Sequence, residues 1–162
     1  KFIGLFITIV ANVVVMGFLL CLLISFWPNA FVTPSLILAL YLYLFEMMVV
    51  IAIAILFSSF STPVLSAILT FMCWVIGHMS EDLWEWSRHV IEEGSVSFGY
   101  FLRGLYFVLP NLEIYNIKNQ VVYMEDLGSI PNHLFLYPLA AILYSAILLW
   151  ITMFSFSRRD FK

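Results

Sequence analysis

Four apolar runs constrain the fold of this 162-residue chain more than any other feature of its sequence. They lie at about 2–26, 35–57, 63–78 and 134–156. A helix of about 20 apolar residues crosses the roughly 30 Å hydrocarbon core of a bilayer, which the first, second and last runs satisfy. The third reaches only about 25 Å at 1.5 Å per residue, so we expect it to be a short, slightly sunken span.

Composition agrees with this interpretation, because 64% of the residues are hydrophobic and 10% are charged. Soluble domains average about 25% charged residues. The prediction is an all-α integral membrane protein, with residues 1–162 forming a single transmembrane domain of about four transmembrane helices. Because the chain opens with Lys1 directly into an apolar run that is too long for a signal-peptide core, we also expect it to be a fragment of a longer protein.

The insertion 80–133, which precedes the last span, is expected to contain two interfacial or re-entrant helices. Ser80 is placed to cap a helix over 81–93, in which apolar and charged residues separate onto opposite faces. Such an amphipathic helix lies in the membrane interface. The apolar segment 100–110 is too short to span and predicts a second interfacial or re-entrant helix.

Charged ends set the expected orientation. Arg158, Arg159 and Lys162 follow the last apolar run directly, and the positive-inside rule places them in the cytoplasm. Counting back four spans, the turn 57–62 is also cytoplasmic and the insertion 80–133 faces outward.

Two polar residues lie inside apolar runs. Glu46 is about halfway along the second run, and a carboxylate at that depth is a candidate functional group that faces a lumen. The alternative is a protonated or hydrogen-bonded Glu at a helix or subunit contact. Asn12 lies in the first run, where an amide is expected to bond to a neighbouring helix. Both residues are lumen or interface candidates.

A hydroxyl-rich turn joins the second and third runs. The Thr62 hydroxyl is predicted to cap the following helix, and Pro63 suits the first helical position because proline has no N–H to leave unpaired there. The two runs are therefore expected to form a tight antiparallel hairpin.

Three segments carry a family resemblance: LFSSFSTPVLSAILTF with GHMSEDL (56–83), LPNLEIYNIKNQVVY (109–123) and FSFSRRDFK (154–162). In their order and spacing they resemble the permease subunits of type-2 ABC transporters, in the copper-enzyme-maturation or general export branch. The resemblance implies a permease dimer, identical or paralogous, in a prokaryotic inner membrane, with further spans before residue 1. It also implies export driven by two separate cytoplasmic ATPase subunits.

The resemblance gives several residues expected roles. Candidates for contact with the ATPase are Phe57, Ser58, Ser59, Phe60, Ser61, Arg158 and Arg159. Candidates for an outer lid and its hinge are His78, Asp82, Trp84, Trp86 and Arg103. The chain has no G-x-x-x-x-G-K-[ST] loop, so ATP and Mg are expected on the partner ATPase, and no cofactor is expected on this chain.

Other functions are disfavoured by the residues. His78, His89 and His133 form at most two-residue pairs with Glu, which is weak support for a metal site. The turn serines have no base at matching depth, so no catalytic residue is expected. Cys21 and Cys73 are expected to be small hydrophobic residues, and a net charge of −3 gives no nucleic-acid footprint. The alternative function is a non-transporting membrane scaffold or anchor for a larger envelope assembly.

Overall fold

The computed structural model describes residues 2–26, 34–117 and 132–157, and these ranges contain helices and no strand. The helices are α1 (Phe2–Ser25), α2 (Pro34–Phe60), α3 (Pro63–His78), α4 (Ser80–Glu92), α5 (Val96–Val108) and α6 (Tyr137–Ser157). A short 3₁₀ turn covers Glu113–Tyr115, and a wide π-type turn at Asn132–Leu136 leads into α6. The predicted all-α fold is confirmed for this part of the chain.

Three helical stretches are long and apolar enough to cross a membrane: α1, α2 and Leu134–Ser155. The third predicted span, α3, has 16 residues and does not reach this length alone. It qualifies only when it is counted together with α4, from which it is separated by a bend of 79°. The described residues therefore contain three candidate spans, or four if this bent pair is one.

The chain divides into two compact units, Lys1–Phe60 with Tyr115–Lys162, and Ser61–Ile114. In the first unit, α1 and α2 run antiparallel. A Cβ atom on Gly17 would lie 3.0 Å from Leu40 Cδ1, so the glycine allows close approach of the two helices. An apolar groove of about 420 Å³ between the two helices is lined by residues from Ile9 to Leu20 of α1 and from Leu40 to Met47 of α2.

By contrast, α2 and α6 run in the same direction. The Tyr41 hydroxyl donates a hydrogen bond to the Leu134 carbonyl at 3.3 Å, which brings the first half of α2 to the entry of α6. The core residues of α2 follow this contact, from Leu42 to Ile53, and those of α6 follow it from Ala141 onward. Because both buried stretches extend forward from the same contact, the helix pair is parallel.

In the second unit, α3 starts at Pro63 as predicted, but the expected Thr62 cap is wrong. Thr62 has extended backbone geometry, and its carbonyl accepts the first helical bond from the Ser66 N–H at 2.8 Å. Its hydroxyl makes no capping hydrogen bond. The backbone alone thus sets the start of this helix.

A tight corner separates α3 from α4. The predicted Ser80 cap is also wrong, because Ser80 is the first residue of α4 and its hydroxyl donates backward to the Gly77 carbonyl at 3.1 Å. The same carbonyl accepts the Leu112 N–H at 3.0 Å. A Cβ on Gly77 would approach Leu112 to 2.9 Å, so this corner is packed against the segment that follows α5.

Helices α4 and α5 form an antiparallel hairpin through Gly94, which has a φ of +94° that favours glycine. A Cβ on Gly99 would overlap the Ile91 side chain and lie 3.1 Å from the Ser87 carbonyl. The hairpin therefore closes tightly where Gly99 meets α4. Both helices predicted for the insertion are present, and their interfacial position remains a prediction.

Candidate functional site

Glu46 is enclosed in the structure, since only 4% of its surface is exposed. It belongs to a buried stripe of α2, spaced as on one helix face, that comprises Leu42, Glu46, Val49 and Ile53. It does not line the apolar groove between α1 and α2. Glu46 was interpreted above either as a lumen-facing group or as a residue of a helix contact. Its burial in a single copy of the chain agrees with the helix contact.

The neighbouring helix α6 presents a stripe with the same spacing to α2, formed by Ala141, Ser145, Leu148 and Thr152. Two of these residues carry hydroxyls. Thr152 donates to the Leu148 carbonyl at 2.8 Å, whereas the buried Ser145 Oγ has no hydrogen-bond partner among the described residues. The α2–α6 contact thus includes a polar position whose bonding capacity is unused in this part of the chain.

Tyr115 is the residue of this region that sequence reasoning missed. It is 5% exposed, and its hydroxyl donates to the Tyr137 carbonyl at the start of α6, at 3.2 Å. Burial, with a smaller contribution from the nearby Glu46 carboxylate, raises its pKa to about 12. The phenol therefore remains protonated and available as a donor. No local pattern around 115 distinguishes it from other aromatic residues of the insertion.

Asn12 has a different environment from the one expected. Its amide donates to the Thr8 carbonyl at 2.9 Å, one turn back on its own helix, and the side chain is exposed along the apolar groove. This bond to its own helix uses one amide hydrogen, and the predicted hydrogen bond to a neighbouring helix stays a prediction. Its role as a lumen or interface residue remains a prediction.

The candidate ATPase contacts are exposed unequally. Phe57 and Phe60 form an edge-to-face pair with ring centroids 5.7 Å apart, and Phe60 is 49% exposed. Ser58 is exposed, whereas Ser59 is buried and donates to the Leu56 carbonyl at 2.6 Å. Half-buried Ser61 belongs to the second unit. Arg158 and Arg159 lie outside the described residues.

At the predicted hinge, His78 lies 3.5 Å from the Glu113 carboxylate through its Nδ1, and its ring meets Trp74 edge-on at 4.8 Å. Asp82 is exposed nearby in sequence. Sequence reasoning placed His78 at the hinge but missed Glu113. The partner could not be identified because it comes from beyond α5.

The other lid candidates divide between the two flanks of the α4–α5 hairpin. On one flank the Arg103 guanidinium carbon lies 5.3 Å from the Trp84 ring centroid and 5.9 Å from that of Tyr100. On the other, Trp86 meets Phe98 edge-on at 6.1 Å. The predicted lid residues are therefore not one cluster. Trp84 and Arg103 are brought together on one flank, and Asp82 and Trp86 line a common depression.

The outer ridge of α4 is charged. A shallow depression of about 250 Å³ is lined by Glu85, Arg88, His89 and Glu92. This arrangement agrees with the charged face that the sequence predicted for this helix. Within the ranges that the structure describes, no group of three or more metal-ligating side chains occurs.

No family model, no curated protein and no solved structure matches the chain.

Proposed function

We propose that this chain is an integral membrane protein that crosses the bilayer four times, with its C-terminus in the cytoplasm of a prokaryotic cell. The observation that carries the four crossings is the common direction of α2 and α6. If both helices span, α2 ends at one membrane face and α6 begins at the other. The chain between them must then cross an odd number of times.

Among the described residues between these helices, α3 is the longest apolar helix, and we assign the additional crossing to it. Its 16 residues extend about 24 Å, which is shorter than a typical hydrocarbon core. Local thinning of the bilayer accommodates such a mismatch at modest cost. In this topology, the bend of 79° between α3 and α4 supports an interfacial position for the amphipathic hairpin on the outer side.

Labelling of single cysteines tests this topology. In a background with Cys21→Ala and Cys73→Ala, two exposed positions on opposite predicted faces are compared, Ser58→Cys and Ser95→Cys. A membrane-impermeant maleimide is expected to label the Ser95 variant in intact spheroplasts and the Ser58 variant only after permeabilisation. Labelling of both positions from the same side contradicts the assignment of the additional crossing to α3.

Within this topology, we propose that the chain is the permease subunit of an ATP-driven exporter and acts in a permease dimer with a separate ATPase. The support is the resemblance carried by residues 56–83, 109–123 and 154–162 to type-2 ABC permeases. Exposed Ser58 and Phe60 supply surface for the ATPase at the cytoplasmic turn. ATP and Mg bind the partner chain.

Co-purification tests the partnership. After mild detergent extraction, we expect a stoichiometric partner that carries a phosphate-binding loop, identified by mass spectrometry. Ser58→Asp is expected to weaken this association, because it adds a charge on an exposed contact position without disturbing the buried Ser59. Ser95→Asp, on the opposite face, is the matched control and is expected to leave the association unchanged.

A second candidate function is a non-transporting scaffold in a larger envelope assembly. The observation that favours it is the enclosure of Glu46, which is 4% exposed and does not line the groove between α1 and α2. A scaffold is expected to co-purify with envelope proteins and no ATPase. For a permease, Glu46→Ala is expected to uncouple ATP hydrolysis in the purified complex, whereas Glu85→Ala on the exposed ridge of α4 is not.

A further inference from the structure

Arg103 of α5 has an unusual environment for a cation. Its Nε is buried and has no hydrogen-bond partner, and no carboxylate pairs with its guanidinium within the residues that the structure describes. Its contacts are with the faces of Trp84 and Tyr100, at 5.3 Å and 5.9 Å. Cation–π attraction holds the charged group in place but does not satisfy its N–H donors.

The surface around Arg103 is apolar. Val96, Tyr100, Arg103 and Phe107 follow one another at helical spacing along one side of α5. Apart from the half-buried arginine, these residues are exposed, with Phe107 reaching 75%. A cation whose Nε–H is unpaired among the described residues therefore lies in the middle of an exposed apolar stripe.

Arg88 on α4 provides an internal comparison. It is exposed on the polar ridge and shares a depression with Glu85 and Glu92, so anionic side chains surround it. It is the environment expected for an arginine that faces water. Arg103 instead combines an apolar surround with a guanidinium whose Nε–H is unpaired among the described residues, and the planar guanidinium matches a phosphate oxygen pair in geometry.

We propose that Arg103, with Trp84 and Tyr100, binds the phosphodiester headgroup of a membrane phospholipid. The acyl chains of that lipid lie along the exposed stripe of α5. Trp and Tyr are enriched at headgroup depth, and amphipathic helices bury their apolar face there. The proposal rests on the membrane topology proposed above and does not depend on transport.

Native mass spectrometry of the detergent-purified full chain tests the site. Two lipids with the same acyl chains are titrated, phosphatidylglycerol and the phosphate-free digalactosyldiacylglycerol. Arg103→Gln is expected to weaken phosphatidylglycerol binding about tenfold, the size of one lost charge-assisted hydrogen bond, and to leave binding of the galactolipid unchanged. Arg88→Gln, the matched control, is expected to change neither.

A second variant keeps the test decisive if Arg103→Gln does not fold. Arg103→Lys retains the charge but not the planar fork, so we expect an intermediate loss of phosphatidylglycerol affinity. Equal affinity in wild type and both Arg103 variants, or equal losses for both lipids, overturns the proposal. Displacement of the lipid by millimolar inorganic phosphate also overturns it, because that result assigns the site to a free anion.

Carbonate extraction, measured in parallel, reports membrane integration separately, so failure of the lipid site and failure of the topology are distinguished.

Discussion

Helices α1 and α2 look alike in sequence and differ in the structure. Both are apolar, with mean hydropathy of 2.8 and 2.5 over an 18-residue segment of each helix. Yet 39% of that segment is buried in α2 and only 6% of it is buried in α1. Because lipid and protein interiors are similarly apolar, hydropathy identifies a span but does not tell which of its faces contacts lipid and which contacts protein. That distinction depends on which helices pack against the span, and α2 packs against α6.

The largest expected effect comes from filling the α2–α6 contact. Ala141 is fully buried on the face of α6 that packs against α2. Ala141→Leu is expected to lower the free energy of unfolding by about 3 kcal/mol, because the added methylenes force the two helices apart. SDS titration in mixed micelles, followed by circular dichroism, measures this change.

Ala11→Leu is the matched control on α1, where the position is exposed. It is expected to change the free energy of unfolding by less than about 0.5 kcal/mol. Equal losses in the two variants would show that the burial difference between α1 and α2 has no energetic counterpart.

Creating a cavity tests the same contrast in the opposite sense. Leu42 in α2 is fully buried, whereas Leu19 in α1 is 54% exposed. Leu42→Ala is expected to cost about 2 kcal/mol, at the low end of such truncations, because the unfolded state in a micelle is also apolar and mainly packing is lost. Leu19→Ala is expected to cost little in the same titration. A larger loss at Leu19 contradicts the assignment of α1 as the peripheral helix.

Tyr115 supplies a polar contact in the unit that contains α2, where it is hydrogen-bonded to the start of α6. Tyr115→Phe is expected to cost about 1 kcal/mol of stability, because the Tyr137 carbonyl loses its donor. The wild-type pKa of about 12 exceeds the ordinary value of 10.0, so the unfolded chain loses this proton first as the pH rises. The stabilisation is therefore complete below pH 10 and is lost between pH 10 and 12.

Parallel unfolding titrations from pH 8 to pH 12 check this effect, with the variant expected to lose less stability than the wild type above pH 10. Tyr106→Phe is the control, since this half-buried residue has ring contacts but no hydroxyl bond within the described chain. Identical pH profiles for wild type and Tyr115→Phe would contradict the role assigned to Tyr115.

The smallest expected effect concerns the two hydroxyls of α6. Ser145→Ala is expected to raise the free energy of unfolding by about 0.5 kcal/mol, because the buried Oγ has no partner to lose in the described chain. Thr152→Val, which removes the bond to the Leu148 carbonyl, is expected to lower it slightly. The opposite signs are measurable in the same micelle assay. A loss of stability on Ser145→Ala would indicate that a second chain or a bound group uses this hydroxyl.

Sequence reasoning succeeded where a local pattern has a local consequence. The apolar runs predicted α1, α2 and the last span, and the alternation of apolar and charged residues predicted α4. It failed at the helix caps, although Thr62 and Ser80 are suitable residue types. The Thr62 hydroxyl makes no capping bond, and the Ser80 hydroxyl donates backward to the Gly77 carbonyl. Hydroxyls have several acceptors within reach, and backbone geometry decides among them.

The candidate site was only partly predictable. Glu46 is recognisable because a carboxylate inside a long apolar run is costly, and that cost is independent of the fold. Its neighbour Tyr115 is distant in sequence, and Glu113 beside His78 is separated from it by two helices. The two hydroxyls of α6, Ser145 and Thr152, are spaced two turns apart in an apolar run, which is a weak signal that sequence reasoning did not use.

By itself, the sequence determined that the chain is helical and that three of its helices are long and apolar enough to span a bilayer, because backbone hydrogen bonding and hydropathy act within each segment. Only the tertiary structure decided that α2 and α6 run parallel, that Glu46 is enclosed, and that Arg103 lies against Trp84 and Tyr100. These features depend on contacts between segments far apart in the chain. In apolar surroundings such contacts are selected by shape and a few polar groups, which hydropathy does not record.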